Sequence, residues 1–457
     1  MAVSRAPGAG RSQRPNGRRG GDWSVLVALA AIVALLALGC ASTPDPRIVQ
    51  PPQGAFAIGA NPLQLMVTLP RADAATLDRH VIDLARDYGL RPLVAWPVES
   101  LGTRCVVFEL ATPRSLGEVS ARLREDPRVA IVQKIQSFET LGAEPAATPK
   151  AQDPYGHLQY GAEALGLREA HALATGHGVE VALIDTGLDI DHPDLADRVG
   201  VARSFVARRG VGFTQDVHGT ALAGVIAANR DNGEGILGVA PEASLLALKA
   251  CWSKRDGSSE AQCDSYTLAL ALDFAIVRGV AVINLSLAGP DDPLLRALVE
   301  RAVELGIVVV AAREHDHGSG GGGADFPASV PGVLAVSSVG PEGAPRTPAS
   351  PPKTSSALLH APGVDVLTTV PKAAYDFLSG SSLAAAHVSG VAALLLERRP
   401  GLPSAQIHEL LLDTATPKDE RLVVHACSAL ARLLALEAAA CEPAAEAIGA
   451  TTERDSS

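Results

Sequence analysis

Between residues 63 and 138 the apolar positions keep two rhythms. The runs at 65–69, 93–96, 105–110 and 129–133 are short and dense, which predicts strands. Residues 72–88 instead set Leu77, Val81, Leu84 and Ala85 on one helical face, and 116–123 suggests a second helix. Strand, helix, strand, strand, helix, strand is the order of a small ferredoxin-like α+β domain. Residues 139–154 have no apolar period and read as a linker. From residue 155 to 441 the pattern changes. Apolar runs at 179–185, 244–249, 280–285, 307–312 and 333–339 alternate with helical patterns at 219–228, 265–277, 294–305, 382–397 and 404–414. That alternation predicts an α/β domain: a mostly parallel sheet with helices on both faces.

The two ends follow other rules. Arg5, Arg11, Arg14, Arg18 and Arg19 precede an uncharged apolar run over residues 23–39, and Cys40 follows it directly. A basic segment, an apolar segment and small residues before a break describe an export signal, residues 1–40. The Leu38-Gly39-Cys40 ending resembles a bacterial lipoprotein signal, which would make Cys40 the lipidated residue and the membrane a partner. An uncleaved short anchor and an ordinary secretory signal are the other readings. Residues 41–62 read as a solvated tether, rich in Pro, Ser and Thr over 41–53, and 442–457 as a polar tail.

Composition narrows the function classes. The chain has 457 residues, 47% hydrophobic and 19% charged, enough for a large buried core. A net charge of −11 leaves no basic surface to neutralise phosphates, so nucleic acid is excluded as a partner. Cys251 and Cys263 flank a polar Gly/Ser-containing stretch, and Cys427 and Cys441 bracket a helical segment. Both pairs suit local disulfides in an oxidising compartment. Cys105 is left over within a strand as a buried thiol, and no pair has zinc-site spacing.

Three stretches carry chemistry. In Val181-Ala-Leu-Ile-Asp185-Thr-Gly187 an apolar strand ends on a carboxylate, where open α/β sheets build their sites. In Asp216-Val-His218-Gly-Thr220 a histidine stands ahead of a helix of small residues. In Ser379-Gly-Ser-Ser382-Leu-Ala-Ala-Ala-His387 a Gly/Ser turn runs into another such helix. Its helix start would turn backbone N–H groups toward a developing oxyanion. Taken singly, the Asp reads as a turn residue, the His as a structural side chain and the Ser as a helix cap. Taken together and in order, they resemble the Asp, His and Ser blocks of the subtilisin-like serine peptidases. Gly235–Pro241, Ile283–Gly289, Phe326–Ser329 and Ala361–Gly363 resemble further blocks of that family, so the likeness spans roughly residues 150–435.

The resemblance implies a serine endopeptidase acting on polypeptides through an acyl-enzyme. Ser382 would be the nucleophile, His218 the general base and Asp185 its orienting partner. It implies a substrate groove at Ser286, Leu287, Ala288 and Gly289 that binds extended chains by strand addition. No cofactor or metal is needed for the chemistry; structural calcium occurs in the family, with no ligands assignable here. By position and topology, residues 63–138 are similar to the family's propeptide, a folding chaperone and groove inhibitor, which makes that domain the chain's own partner. Departures from the family pattern are Val217, Ala221, Ser381 and Ala386, where Gly, His, Thr and Pro are usual. His315 takes the place of the usual oxyanion Asn, a donor whose loss costs subtilisin itself about 100- to 1,000-fold in turnover. The alternative reading is therefore an impaired relative that binds peptides without cutting them. A nucleophile-elbow esterase is set aside, because Ser382 lacks the Gly-x-Ser-x-Gly setting.

Overall fold

The computed structural model describes residues 48–49, 63–110, 116–140, 155–207, 212–313, 325–342, 358–418 and 421–441. It opens on Ile48–Val49 (β1), which lies parallel to a strand far downstream, Ile48 opposite Ala202. This corrects the solvated tether expected over residues 41–53, since Ile48 is buried in the main core. Two β-branched residues are too short a run to show a period, yet they suit an open sheet edge.

Gln64–Leu69 (β2), Ala74–Tyr88 (α1), Leu90–Val98 (β3), Thr103–Leu110 (β4), Leu116–Arg124 (α2) and Ile131–Lys134 (β5) build the ferredoxin-like layer. Its sheet runs β3-β4-β2-β5, each neighbour antiparallel. Helix α1 starts after Asp73, whose side chain accepts the Thr76 N–H, and ends at left-handed Gly89. Its Leu77, Leu84 and Tyr88 pack on Leu65, Val67 and Phe108 of the sheet. Ser137–Thr140 (β6) then crosses the boundary expected at 138/139, so Glu139 and Thr140 belong to a strand and not to a linker.

The large sheet is laid down by Glu180–Asp185 (β7), Val199–Ser204 (β8), helix Val217–Ala227 (α3) and Ser244–Lys249 (β9). A hairpin, Cys251–Ser253 (β10) and Ala261–Asp264 (β11), leads into helix Ser265–Arg278 (α4). Val282–Leu285 (β12), Leu287–Ala288 (β13), helix Pro293–Glu304 (α5), Val308–Ala312 (β14) and Leu334–Val339 (β15) follow. Leu359–Pro362 (β16), the hairpin Val366–Val370 (β17) and Ala374–Leu378 (β18), and helix Ser381–Arg398 (α6) come next. Ser404–Asp413 (α7), Thr416–Lys418 (β19), Arg421–Val423 (β20) and Ala426–Leu433 (α8) complete it. The order is β1-β8-β9-β7-β12-β14-β15-β16-β20-β19, parallel throughout except for the last pair.

Both faces are covered, as an uninterrupted apolar strand requires. Along β7, Val181 and Leu183 join the core beneath α3 and α6, while Ala182 and Ile184 join the opposite core with α4 and α5. Helix α6 is buried from Ser381 to Leu396, which is why its sequence shows small and apolar residues all round and no polar face. Cys427 and Cys441 are joined, S–S 2.05 Å, tying α8 to the turn Ala438–Cys441. Among the described residues no helix is long and apolar enough to cross a membrane. Residues 1–40 and 442–457, with the export segment, Cys40 and the polar tail, lie outside the described residues.

Candidate active site

Strand β7 sits between β9 and β12, and its apolar run stops at the carboxyl edge on Asp185, which is fully buried. Oδ1 of Asp185 accepts the Thr186 N–H at 2.7 Å and faces Nδ1 of His218 at 2.7 Å. A carboxylate only accepts, so Nδ1 carries the proton and Nε2 presents its lone pair. His218 was expected ahead of its helix; α3 begins at Val217, so the imidazole belongs to the first turn. Close approach of that turn to the β7 loop depends on Gly219. A Cβ there would lie 2.4 Å from the Gly187 carbonyl oxygen, and its N–H instead donates to Thr186 Oγ1 at 2.9 Å.

Ser382 is in the first turn of α6, after Gly380 in extended backbone. Neither Ser381 nor Ser382 caps the helix: the cap residue is Gly380, with no side-chain capping bond. Ser382 Oγ donates to the Ser286 carbonyl at 3.2 Å, and Ser286 Oγ donates back to the Ser382 carbonyl at 3.0 Å. Asn284 Nδ2 donates to Ser286 Oγ at 2.9 Å, and Ser389 Oγ to Asn284 Oδ1 at 2.8 Å. Asn284, Ser286 and Ser389 are fully buried, so this chain fixes the turn bearing Ser382 against β12 inside an apolar core. Among the described residues, His218 Nε2 and Asp185 Oδ2 are buried without a hydrogen-bond partner. The serine hydroxyl thus rests on a backbone carbonyl, a loose ground state of the kind that tightens when substrate binds.

The expected groove residues Ser286–Gly289 face a strand of the chain itself. β6 is inserted between β11 and β13, antiparallel to both, with Phe138 opposite Cys263, Glu139 opposite Ala288 and Thr140 opposite Leu287. Phe138 is fully buried against Phe326, ring centroids 6.0 Å apart. Gly289 makes room for it, since a Cβ there would come within 2.2 Å of the ring. Glu139 meets Lys254 at 2.8 Å. Upstream, the α+β layer docks through Glu99 and Ser100 N–H groups on Asp273, and through Gln133 Nε2 on Asp292 at 2.7 Å. Cys251 and Cys263 are bonded, S–S 2.00 Å, and cross-link the hairpin that forms one wall of this groove.

His315, placed by sequence at the second oxyanion donor, lies outside the described residues. Buried Cys105 sits 3.7 Å from Thr68 Oγ1, and burial pushes its thiol up to about 12, so it is inert. Among the described residues no group of three His, Cys, Asp or Glu side chains is placed to hold a metal ion. Asp194, another buried carboxylate, accepts from Asn232, the Ile236 N–H and Tyr375. Sequence reasoning missed Asn284, Ser389 and β6. The last left a signal, a four-residue alternation of outward Ser137 and Glu139 with inward Phe138 and Thr140.

Comparison with known proteins agrees with this geometry. The model of the subtilase family matches residues 176–429. Subtilisin E of Bacillus subtilis (strain 168) is 37% identical over 300 residues, covering 64% of this chain and 72% of that protein. A subtilisin of Bacillus pumilus is 38% identical over 269 residues, 58% of this chain and 91% of that one. Among solved structures, fervidolysin from Fervidobacterium pennivorans, a keratinolytic enzyme related to subtilisin, superposes with a TM-score of 0.66 at 22% identity. That match covers 85% of this chain and 64% of fervidolysin, and speaks for the fold. With the family model spanning the large sheet from β7 to β20 and relatives matched over most of their length, the chain belongs to the subtilase family and is a serine endopeptidase.

Proposed function

We propose that Ser382 attacks the scissile carbonyl while His218 takes its proton at Nε2 and later delivers it to the leaving amine. Asp185 holds the imidazole by Nδ1 and stabilises its charged form. The observation that carries this reading is the 2.7 Å contact between Asp185 and His218 at the sheet edge where α6 delivers Ser382. For attack, the Ser382 hydroxyl must leave the Ser286 carbonyl and turn to Nε2. Backbone N–H groups at the start of α6 would receive the oxyanion, with His315 as the second donor. The substrate is an extended polypeptide, laid between β11 and β13.

Residues 63–138 act as a propeptide. The reading is supported by β6, which fills the groove with the chain's own backbone, and by Asp273 and Asp292, which accept the layer's hydrogen bonds. Export through residues 1–40 with lipid on Cys40 is the location we infer, from the basic, apolar and small-residue order of that segment. Covalent labelling by a serine-reactive fluorophosphonate tests the chemistry. Labelling of the native chain that disappears in Ser382→Ala is expected, and an unlabelled native chain would sink the catalytic assignment.

A further inference from the structure

One buried carboxylate near the triad is not used by the chemistry above. Asp216 precedes α3 and would ordinarily cap it, but its side chain makes no capping bond. It turns inward, where it is wholly shielded from solvent and contacts three other segments. The Gly187 N–H donates to its Oδ2 at 2.9 Å, and Ser253 Oγ donates to its Oδ1 at 3.0 Å. Lys249 Nζ, itself buried, forms an ion pair with Oδ2. These partners are not scattered. Gly187 lies two residues after Asp185, and Asp216 two residues before His218. Lys249 is the register partner of Asp185 across the β7–β9 pair. Ser253 ends β10, in the disulfide-closed hairpin whose other strand, β11, walls the groove.

A buried charge pair is weak evidence for stability, because desolvation offsets much of the attraction. Burial indeed pushes the Asp216 carboxyl up, against the pull of Lys249. The arrangement therefore calls for a reason other than stability, and the geometry supplies one. We propose that Asp216, held by Lys249, is a positioning residue that locks the loop after Asp185 to the turn bearing His218 and ties both to the groove hairpin. It touches neither substrate nor the reacting atoms. It fixes the separation of the two segments whose side chains meet at 2.7 Å, the hydrogen bond by which Asp185 orients the imidazole for the proton transfer at Nε2.

This inference rests on the assignment of Asp185 and His218 as base partners, and its test keeps the two apart. In the full-length chain carrying Ser382→Ala, the His218 Nδ1 proton should give a far-downfield ¹H resonance. Its absence in that parent would overturn the base-pair assignment itself, and the clamp with it. Into this parent go two replacements that both neutralise the buried pair. Asp216→Leu with Lys249→Met removes every acceptor, whereas Asp216→Asn with Lys249→Met keeps one oxygen for the Gly187 N–H. The leucine pair is expected to melt within a few degrees of the parent, yet to broaden or shift that resonance. In the serine-bearing chain it should slow fluorophosphonate acylation on the order of 10- to 100-fold, in the rate of the bonded step and not in its half-saturation. The asparagine pair is expected to recover the resonance and most of the rate. Should the leucine pair fail to fold, Ser253→Ala, which leaves no new charge unpaired, replaces it, with acylation slowed about threefold, roughly the loss of one hydrogen bond. A folded leucine pair with parental resonance and rate would overturn the proposal, as would an unchanged rate in Ser253→Ala where that variant stands in.

Discussion

Gly219 shows how much of the site hangs on one missing methyl. With a Cβ there, the Gly187 carbonyl would be met at 2.4 Å, and backbone on both sides leaves nothing flexible to yield. Gly219→Ala is expected to destabilise the fold by about 1–3 kcal/mol, the cost of overpacking. It should slow acylation more than that alone explains, because the helix turn that moves carries His218; urea titration beside labelling kinetics checks both. Gly289 has the opposite sign. A Cβ there collides with Phe138 of the inserted strand. Gly289→Ala should therefore weaken the hold of β6, read as a shorter lag before activity appears, while Ser382 still labels. Asp185, His218 and Ser382 could be picked out as candidates at this scale because each stands in a block with its own texture. Asp216 and Lys249 could not: they lie 33 positions apart, and only the fold brings the charges together.

The elements most legible in the sequence were the doubly buried strands of the large sheet. Strands β7, β9, β12, β14 and β15 are buried on both faces and read as unbroken apolar runs, with ends within two residues of expectation. Strands β1, β6, β10, β11 and β13, of two to four residues, were missed, as were the six-residue β8 and the five-residue β17 and β18. Those of two or three residues take their conformation from a neighbour's open hydrogen bonds, so no period in their own residues announces them. The groove wall is the functional case. Its hairpin is short and polar, and the Cys251–Cys263 bond across its register stands in for a core. Replacing both cysteines by alanine should cost about 2–3 kcal/mol, as for other loops of this size. Peptide KM is expected to rise more than kcat falls, since the wall is lost and the triad is not. Asn284→Leu is the complementary change behind the nucleophile: it leaves Ser286 and Ser389 without their buried partner, at about 1–3 kcal/mol. There the expected loss falls on kcat.

For the whole molecule, one source of pH sensitivity lies in α6. His387 is completely buried in α6, its Nδ1 2.9 Å from the Leu383 carbonyl, and burial pushes its pKa down to about 4. The unfolded chain takes up the proton near pH 6.5 and the folded one does not. Stability is therefore full above about pH 6.5, falls as pH drops toward about 4, and levels off below. The loss integrates to roughly 3 kcal/mol, and His387→Gln should flatten the slope in denaturant titrations across that window.

If residues 63–138 are the propeptide proposed above, the strand that fills the groove has a kinetic consequence. An inhibitor carried on the same chain has a fixed local concentration, so its first release is unimolecular and dilution cannot hurry or delay it. Once cut, the same segment becomes an ordinary competitor, and its destruction by molecules already freed is second order. A preparation should then show a lag set by the molecule alone, followed by a rise whose steepness grows with enzyme concentration. On that reading such a chain would be a timer first and an amplifier afterwards, with β6 as the segment whose release separates the two phases.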